Sequence, residues 1–170
     1  MNTKKHYSYP HLVGEHRFGD LGQLILLLLF LGIWITDSFF FHYSTFLRQN
    51  ISDFIRIPLS ALVLIAGWYL ARNGVRAVFE PGKSKPGVIR TGVYGIVRHP
   101  IYLGALLFYL GAILITMSLA SAAFWILIVV YYILISRYEE KILTDTFGQD
   151  YTSYQKEVGM MFPKIRRSSS

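Results

Sequence analysis

The sequence RHPIYLGALLFYLGAILITMSLASAAFWILIVVYYILISRYEE, residues 98–140, holds a long apolar run between two polar clusters. From Ile101 to Ser136, only tyrosines and a few smaller hydroxyl-bearing residues interrupt the hydrophobicity. One helix of that length would measure about 54 Å, which is too long for a single crossing of roughly 30 Å of hydrocarbon. Two helices of about 26 Å each, joined near Ser118–Ser121, fit one membrane. The stretch therefore predicts a tight helical hairpin that returns the chain to the face from which it entered.

Two further apolar runs precede the hairpin, at residues 21–41 and 54–79, and each is long enough to cross a bilayer as a helix. Pro58 lies in the first turns of the second run, where a missing N–H is tolerated. Gly67 and Ala71 are small residues four apart, a spacing that predicts a contact with another helix. The predicted membrane helices are thus 21–41, 54–79, 101–118 and 120–137.

The overall composition is typical of an integral membrane protein. Hydrophobic residues make up 53% of the 170 residues, charged residues make up only 16%, and the hydrophobic residues are clustered. The length favours one domain. Because the chain has no cysteine, a disulfide framework, a cysteine nucleophile and a zinc–thiolate site are all excluded. We predict a single all-α, polytopic domain with about four transmembrane helices and short cytoplasmic helices at its carboxyl end.

Positive charge is spread unevenly along the chain and predicts its orientation. None of the 17 lysines and arginines lies at the hairpin tip, whereas six lie in residues 72–98 and six follow residue 136. The positive-inside rule then places both termini and residues 80–100 in the cytoplasm, in a bacterial inner membrane or an endoplasmic-reticulum-type membrane. The net charge of +7 is assigned to loops that face anionic lipid headgroups, so no nucleic-acid partner is expected.

Two predicted cytoplasmic segments, 80–100 and 138–163, lie outside the membrane helices. The first is a loop with two Pro-Gly pairs that leads into the motif TGVYGIVRHPIYLG, residues 91–104. The second has helical periodicity as far as Gly148, which is suited to cap a helix, and Asp150 is suited to begin a second short helix. The hairpin brings both segments to one membrane face, where we expect their polar side chains to form a binding site.

This predicted site suits a ligand that has a carboxylate, an ammonium and a flat ring. Its members are two cations, two anions, a histidine and four tyrosines: Arg98, Arg137, Glu139, Glu140, His99, Tyr94, Tyr102, Tyr151 and Tyr154. Neither a Walker loop nor a complete dinucleotide fingerprint is present in the sequence. No metal is expected, because His99 has no second ligand at metal-binding spacing.

The motifs GVYGIVRHPIYLG (residues 92–104) and RYEEKILTDTFGQDYTSYQKEV (residues 137–158) resemble the isoprenylcysteine carboxyl methyltransferase family. The wider group includes phospholipid N-methyltransferases. The resemblance spans residues 79–163, about half of the chain, and residues 1–78 share only their hydrophobicity with the family. It implies a membrane-embedded enzyme that takes a methyl group from S-adenosylmethionine and releases S-adenosylhomocysteine.

The resemblance also implies which residues contact the cofactor. Carried over by position, they are Pro86, Gly87, Val88, Ile89, Tyr94, His99, Pro100, Ile101, Tyr102 and one of Glu139 and Glu140. In the family, an arginine that contacts the acceptor lies four residues ahead of the cofactor glutamate. Here those positions hold Ile135 and Ser136, so Arg137 is the nearest candidate. Arg98 and Arg137 are the predicted catalytic residues, as cations that can steer an acceptor.

The chemistry of these residue types agrees with such a cofactor. Pro100 would begin the third helix and leave free N–H groups for a carboxylate. A glutamate can bind an ammonium or ribose hydroxyls, and tyrosines can wall a ring and attract a sulfonium.

The sequence leaves the methyl acceptor open. A site at the membrane favours a lipophilic or amphiphilic molecule, whose reacting group can be a carboxylate, an amine or a thiol. Two other classes of protein also fit the pattern. One is an NAD(P)H-dependent membrane reductase on a related scaffold, and the other is a non-enzymatic membrane protein that binds a small ligand.

Overall fold

The computed structural model describes residues 17–79 and 87–164. Five α-helices account for most of this part of the chain: α1 (Arg17–Ile35), α2 (Asp53–Val78), α3 (Pro100–Thr116), α4 (Leu119–Phe147) and α5 (Gln149–Glu157). A π-helical turn, Thr36–Phe41, extends α1. The predicted all-α fold is thus confirmed. The amino-terminal lead-in, the loop residues 80–86 and the basic tail lie outside the described residues.

Three helical segments are long and apolar enough to cross a membrane: Gly19–Phe41, Asp53–Val78 and Leu119–Phe147. The apolar helix α3, at 17 residues, is shorter and lies at the lower limit for a crossing. These features confirm a polytopic membrane protein. We call the end where α3 begins and α4 finishes the site end of the bundle.

The helix α4 is longer than the predicted membrane helix 120–137, because it continues without a break to Phe147. The sequence change at Arg137 marks where charged residues begin. Charge ends the apolar part of a crossing, but nothing in residues 138–147 ends a helix. Gly148, with φ +57, is the first residue that does so. The first part of the predicted 138–163 segment is therefore a direct extension of α4.

Small residues bring α2 and α3 together, as the spacing of Gly67 and Ala71 predicts. A methyl group built on Gly104 would lie 2.7 Å from the Gly67 carbonyl oxygen and 3.0 Å from the Ala71 Cβ. About two turns beyond Gly67 along α2, towards the site end, a methyl on Gly74 would lie 2.7 Å from the Ile101 side chain. The two backbones are in near contact, so the start of α3 is held firmly against α2.

The hairpin turn lies at Met117 and Ser118, close to its predicted position. Met117 adopts a left-handed conformation (φ 56), and the Ser118 side chain caps α4 by accepting from the Ser121 N–H at 3.1 Å. Asp37, in the π-helical turn that extends α1, is buried. It accepts hydrogen bonds from the Ser118 and Ser44 hydroxyls, each at 2.5 Å. This polar network ties the end of α1 to the hairpin tip.

Helix α1 is attached to its neighbours near both ends. At the site end the Tyr131 hydroxyl of α4 donates to the Gly19 carbonyl oxygen at 3.0 Å. At the other end the Trp34 indole donates to the Ala112 carbonyl oxygen of α3, also at 3.0 Å. These two attachments set how closely α1 approaches α3 and α4 between them.

The α2–α3 contact makes a specific stability prediction. Gly104→Ala should lower the free energy of unfolding by about 1–3 kcal/mol, because the added methyl overlaps a backbone carbonyl that cannot rotate away. Thermal unfolding in detergent measures the change. Gly32→Ala is the matched control, since nothing lies within 4 Å of its added methyl, and it should leave the transition unchanged or raise it slightly. Equal behaviour of the two variants would contradict the packing described here.

Candidate active site

The core of the site is a crossing of two extended segments just outside the helices. The chain leading into α3 pairs with the chain that follows α5: the Arg98 N–H donates to the Gly159 carbonyl oxygen at 2.9 Å and the His99 N–H donates to the Met160 carbonyl oxygen at 3.2 Å. Val97, next to this pairing, is 1% exposed. The crossing fixes the backbone from which the Arg98 and His99 side chains reach α4.

Arg98 and Glu140 form a buried, two-point ion pair across this crossing. The Arg98 Nε donates to Glu140 Oε1 at 2.7 Å, and Nη2 donates to Oε2 at 3.0 Å. The remaining guanidinium nitrogen, Nη1, donates to the carbonyl oxygens of Gln155 and Val158. Arg98 therefore joins the segment before α3 to α4 and to the end of α5.

The Glu140 carboxylate has no acceptor capacity left. Besides the two bonds from Arg98, its Oε1 lies 3.1 Å from His99 Nε2 and its Oε2 accepts from Gln155 Nε2 at 3.0 Å. A carboxylate offers about four lone-pair positions, and all are filled by protein groups. Since an ionised carboxylate only accepts, His99 donates at Nε2.

Glu139, the adjacent acid, faces the beginning of α3. Its carboxylate accepts a hydrogen bond from the Tyr102 hydroxyl, and its Oε2 lies 3.6 Å from His99 Nδ1. The His99 and Tyr102 rings are stacked, with centroids 5.6 Å apart and planes 3° from parallel. The Glu139 side chain is 16% exposed, against 9% for Glu140. Of the two acids, Glu139 is the more accessible.

An aromatic pocket of about 90 Å³ lies beside this polar cluster. Its walls come from the loop before the crossing, from Arg98, and from the ends of α4 and α5: Gly87, Val88, Ile89, Tyr94, Arg98, Leu143, Phe147, Tyr151 and Tyr154. The Tyr154 hydroxyl donates to the Tyr94 carbonyl oxygen at 2.6 Å, which closes one side. Apart from the Arg98 guanidinium, the walls are apolar and aromatic.

The tyrosines of this pocket are neutral at physiological pH. Burial, with a smaller effect from the nearby Glu139 carboxylate, raises the pKa of Tyr94 to about 12. Burial likewise raises the pKa of Tyr151 and of Tyr154. These side chains can form walls and donate hydrogen bonds, but they do not supply a phenolate base.

Most of the predicted site residues are brought together at the site end. Gly87, Val88, Ile89 and Tyr94 line the aromatic pocket, while Arg98, His99, Tyr102, Glu139 and Glu140 form the polar cluster, and Pro100 and Ile101 begin α3 beside it. Arg137 is not brought in: its side chain is exposed. Pro86 lies outside the described residues.

Three residues of the site escape the sequence reasoning. Leu143 and Phe147 continue the face of α4 that carries Glu140, at intervals of three and four residues, and line the pocket. Gln155 lies one turn beyond Tyr151 on α5 and donates to Glu140. Helical spacing from Glu140 and from Tyr151 is the signal that could have found them. Asp150, the predicted cap of α5, instead lies in its first turn after Gly148.

The fold is that of a polytopic membrane protein, and its candidate site lies where its helices end. The family model for phospholipid methyltransferases matches residues 60–150, more than half of the chain, and the protein belongs to this family. The matched region contains most of α2, the segment before α3, the hairpin, and the first residues of α5. It contains neither α1 nor the Gly159–Met160 segment.

Individual relatives carry two kinds of methyltransferase name. Methanethiol S-methyltransferase of Pseudomonas deceptionensis is 33% identical over 63% of this chain and 43% of its own length. The protein of that name from Pseudomonas sp. (strain GM41(2012)) is 39% identical over 64% of this chain and 42% of its own. Protein-S-isoprenylcysteine O-methyltransferase of Saccharomyces cerevisiae is 26% identical over 77% and 59%. The chain thus spans well under two thirds of these relatives, and no solved structure matches it.

The ion pair makes the next prediction. Glu140→Gln leaves Arg98 buried without a counter-charge, so we expect a loss of about 3–5 kcal/mol in unfolding free energy and faster proteolysis of the segment before α3. Glu157→Gln, at an exposed acid of α5, is the control and should behave as the unaltered protein. A Glu140→Gln protein with the original unfolding midpoint would show that the pair does not hold the crossing together.

Proposed function

We propose that this protein transfers a methyl group from S-adenosylmethionine to a lipophilic or amphiphilic acceptor at the cytoplasmic end of the bundle. Family membership supports methyl transfer. The observation that carries the proposal is the placement of an accessible carboxylate, Glu139, between an aromatic pocket and the uncapped start of a helix. Those three features match the three polar and flat parts of this cofactor.

The residues present fit the cofactor. The aromatic pocket suits its ring, and at about 90 Å³ the pocket is too small for a whole ligand, since complete ligand sites measure roughly 300–1,000 Å³. No side chain caps the first turn of α3, so N–H groups there are available to a carboxylate. Glu139 is then the group for the ammonium, since it is the more accessible of the two acids and its charge suits a charge-assisted hydrogen bond.

Glu139 and Glu140 therefore have different proposed roles. Glu140 is saturated by protein donors and serves to position Arg98 and His99. Glu139 shares His99 with Glu140 and is oriented by the Tyr102 hydroxyl, so its carboxylate is aligned before any ligand arrives. Pre-alignment lowers the cost of binding and of reaching the reactive geometry.

When bound, S-adenosylmethionine supplies an electrophilic methyl group on a positively charged sulfur. Transfer forms a bond from the acceptor atom to the methyl carbon while the carbon–sulfur bond breaks, and the bonding pair stays on sulfur to give neutral S-adenosylhomocysteine. A carboxylate acceptor loses no proton, whereas a thiol or amine releases one to water. The task of the protein is alignment, with His99, Tyr102 and Glu139 holding their places around the reacting groups.

The two predicted catalytic arginines are unequal in this proposal. Arg98 directs all three guanidinium nitrogens at protein acceptors, which favours a positioning role over contact with an acceptor molecule. Arg137 is exposed on α4, where its charge suits lipid headgroups. Its position gives no support to a role in steering a carboxylate. The distribution of lysine and arginine supports a cytoplasmic site end.

The first test is ligand binding by the purified protein. S-adenosylhomocysteine should raise the thermal unfolding midpoint, with a stabilisation of about 2.7 kcal/mol at a hundredfold excess over its Kd. NADPH should not, which separates a methyltransferase from a reductase. Labelled methyl transfer from S-adenosylmethionine into a membrane extract then identifies the product. Stabilisation by NADPH alone, or by neither compound, would refute the proposal.

The second test separates the two glutamates. Glu139→Gln should weaken S-adenosylhomocysteine binding at least tenfold, because the ammonium loses its charged partner, while the unfolding midpoint without ligand changes little. Asp145→Asn alters an exposed acid of the same helix and should bind normally. Isothermal titration in detergent measures both. Wild-type affinity in Glu139→Gln would move the ammonium site away from this residue.

A further inference from the structure

A second cavity lies away from the aromatic pocket and opens on one side to the surface of the helical bundle, where Leu24 and Phe108 are about half exposed. It measures about 330 Å³ and is bounded by α1, α3 and α4, with walls formed by Gln23, Leu24, Leu27, Ala105, Phe108, Tyr109 and Tyr132. The two attachments of α1, at Gly19 and at Trp34, lie on either side of it. The cavity is therefore a gap between α1 on one side and α3 and α4 on the other.

The walls of this cavity are uncharged and mostly apolar, but they include one amide side chain. Gln23 is its amide-bearing residue, and that side chain forms no hydrogen bond with any other described residue. Gln23 lies near the start of the apolar segment Gly19–Phe41. A polar side chain among apolar walls is costly unless it has a partner, so such residues commonly mark functional sites. None of the described residues that line the cavity is a lysine, an arginine or a histidine, so no described side chain there balances a carboxylate.

A chain of contacts connects this cavity to Glu139. The Tyr132 ring of the cavity wall contacts the Tyr102 ring edge-on, with centroids 5.2 Å apart. Tyr102 in turn donates its hydroxyl to Glu139. The seven residues from Tyr132 to Glu139 advance about 10 Å along α4. A molecule seated in the cavity is therefore connected to the proposed methyl-donor site through two aromatic rings, those of Tyr132 and Tyr102.

The same face of α4 carries an unpaired hydroxyl between the two places. Ser136 is one turn from Tyr132 and one turn from Glu140, it is fully buried, and its Oγ has no hydrogen-bond partner in the part of the chain that the structure describes. The segment that joins cavity and cluster is thus polar but uncharged. Among the described residues, an anionic reacting group would find no cation along it, because Arg98 is committed to Glu140 and Arg137 is exposed.

We propose that this cavity binds the methyl acceptor, and that the acceptor is a neutral amphiphile whose hydrogen-bonding group is held by Gln23. The inference rests on the proposed methyl transfer and names the substrate class for it. A volume near the lower end of the range for ligand sites fits a compact apolar body rather than a long one. Gln23 is then a specificity-determining residue on α1, a helix outside the region that matches the family.

Because the chain has no cysteine, single cysteines can be introduced to test binding in the cavity without the cofactor. Leu27→Cys places a single thiol in the cavity wall, and Leu28→Cys places one on the neighbouring exposed surface of α1. Octanol should slow labelling of Leu27→Cys by N-ethylmaleimide at least fivefold and leave Leu28→Cys unchanged. Octanoate should protect neither. Protection of both positions alike, or of neither, would overturn the proposal.

Transfer provides the second arm. The purified protein should methylate octanethiol from labelled S-adenosylmethionine and leave octanoate unmodified. Ala105→Phe, which fills the cavity, should lower kcat/KM at least tenfold, and Gln23→Leu should raise KM with a smaller effect on kcat. Leu28→Phe is the matched control with unchanged kinetics. Unchanged S-adenosylhomocysteine stabilisation in all three variants shows that they fold.

The two proposals fail in distinguishable ways. If S-adenosylhomocysteine does not stabilise the protein and no methyl group is transferred, the proposed function is wrong whatever the labelling shows. If the cofactor product stabilises it but octanoate is methylated in preference to octanethiol, the neutral-acceptor inference is wrong. Wild-type kinetics in Ala105→Phe would likewise show that the cavity holds membrane lipid and not the acceptor.

Discussion

The Arg98–Glu140 pair is the interaction on which the rest of the site depends. It connects three parts of the chain that are distant in sequence, namely the segment before α3, the end of α4 and the residues after α5. Two charges removed from water are tolerated only when every donor and acceptor is satisfied, and here the carboxylate is saturated. Because the pair is complete, Glu140 holds His99 in place. His99 also contacts Glu139, so the position of Glu139 is fixed through its neighbour.

Much of the fold could be predicted from hydrophobicity and length. The hairpin, the polar clusters at one end and the Gly67 contact all follow from segment lengths and small-residue spacing. The end of α4 could not be predicted, because charge at Arg137 limits a membrane crossing without limiting a helix. Nor could the sequence distinguish the proposed roles of Glu139 and Glu140. Adjacent residues on a helix point about 100° apart, and only the packing of the folded protein decides which neighbour each of them faces. The pairing of Arg98 and His99 with Gly159 and Met160 is too short to leave a periodic pattern.

The proposed methyl-donor and acceptor sites differ in how far they lie within residues 60–150, the region that matches the family. The region that matches the family contains Glu139, Glu140, the hairpin and most of the aromatic pocket, all of which belong to the proposed methyl-donor side. The proposed acceptor cavity has one wall from α1, which lies outside that region. The proposed donor site and one wall of the proposed acceptor cavity thus come from different parts of the chain.

The crossing at Val97 and Gly159 also has a consequence for how the protein is made. Synthesis proceeds from the amino terminus, so α1, α2 and the hairpin emerge from the ribosome before the residues that pair with Arg98 and His99 exist. The helices can insert and pack through their glycine contacts during this time. The candidate site is completed only when the last described residues are released, about 60 residues after the segment that they pair with, at a rate of roughly 5–20 residues per second. Insertion into the membrane and completion of the candidate site are thus separate events during synthesis.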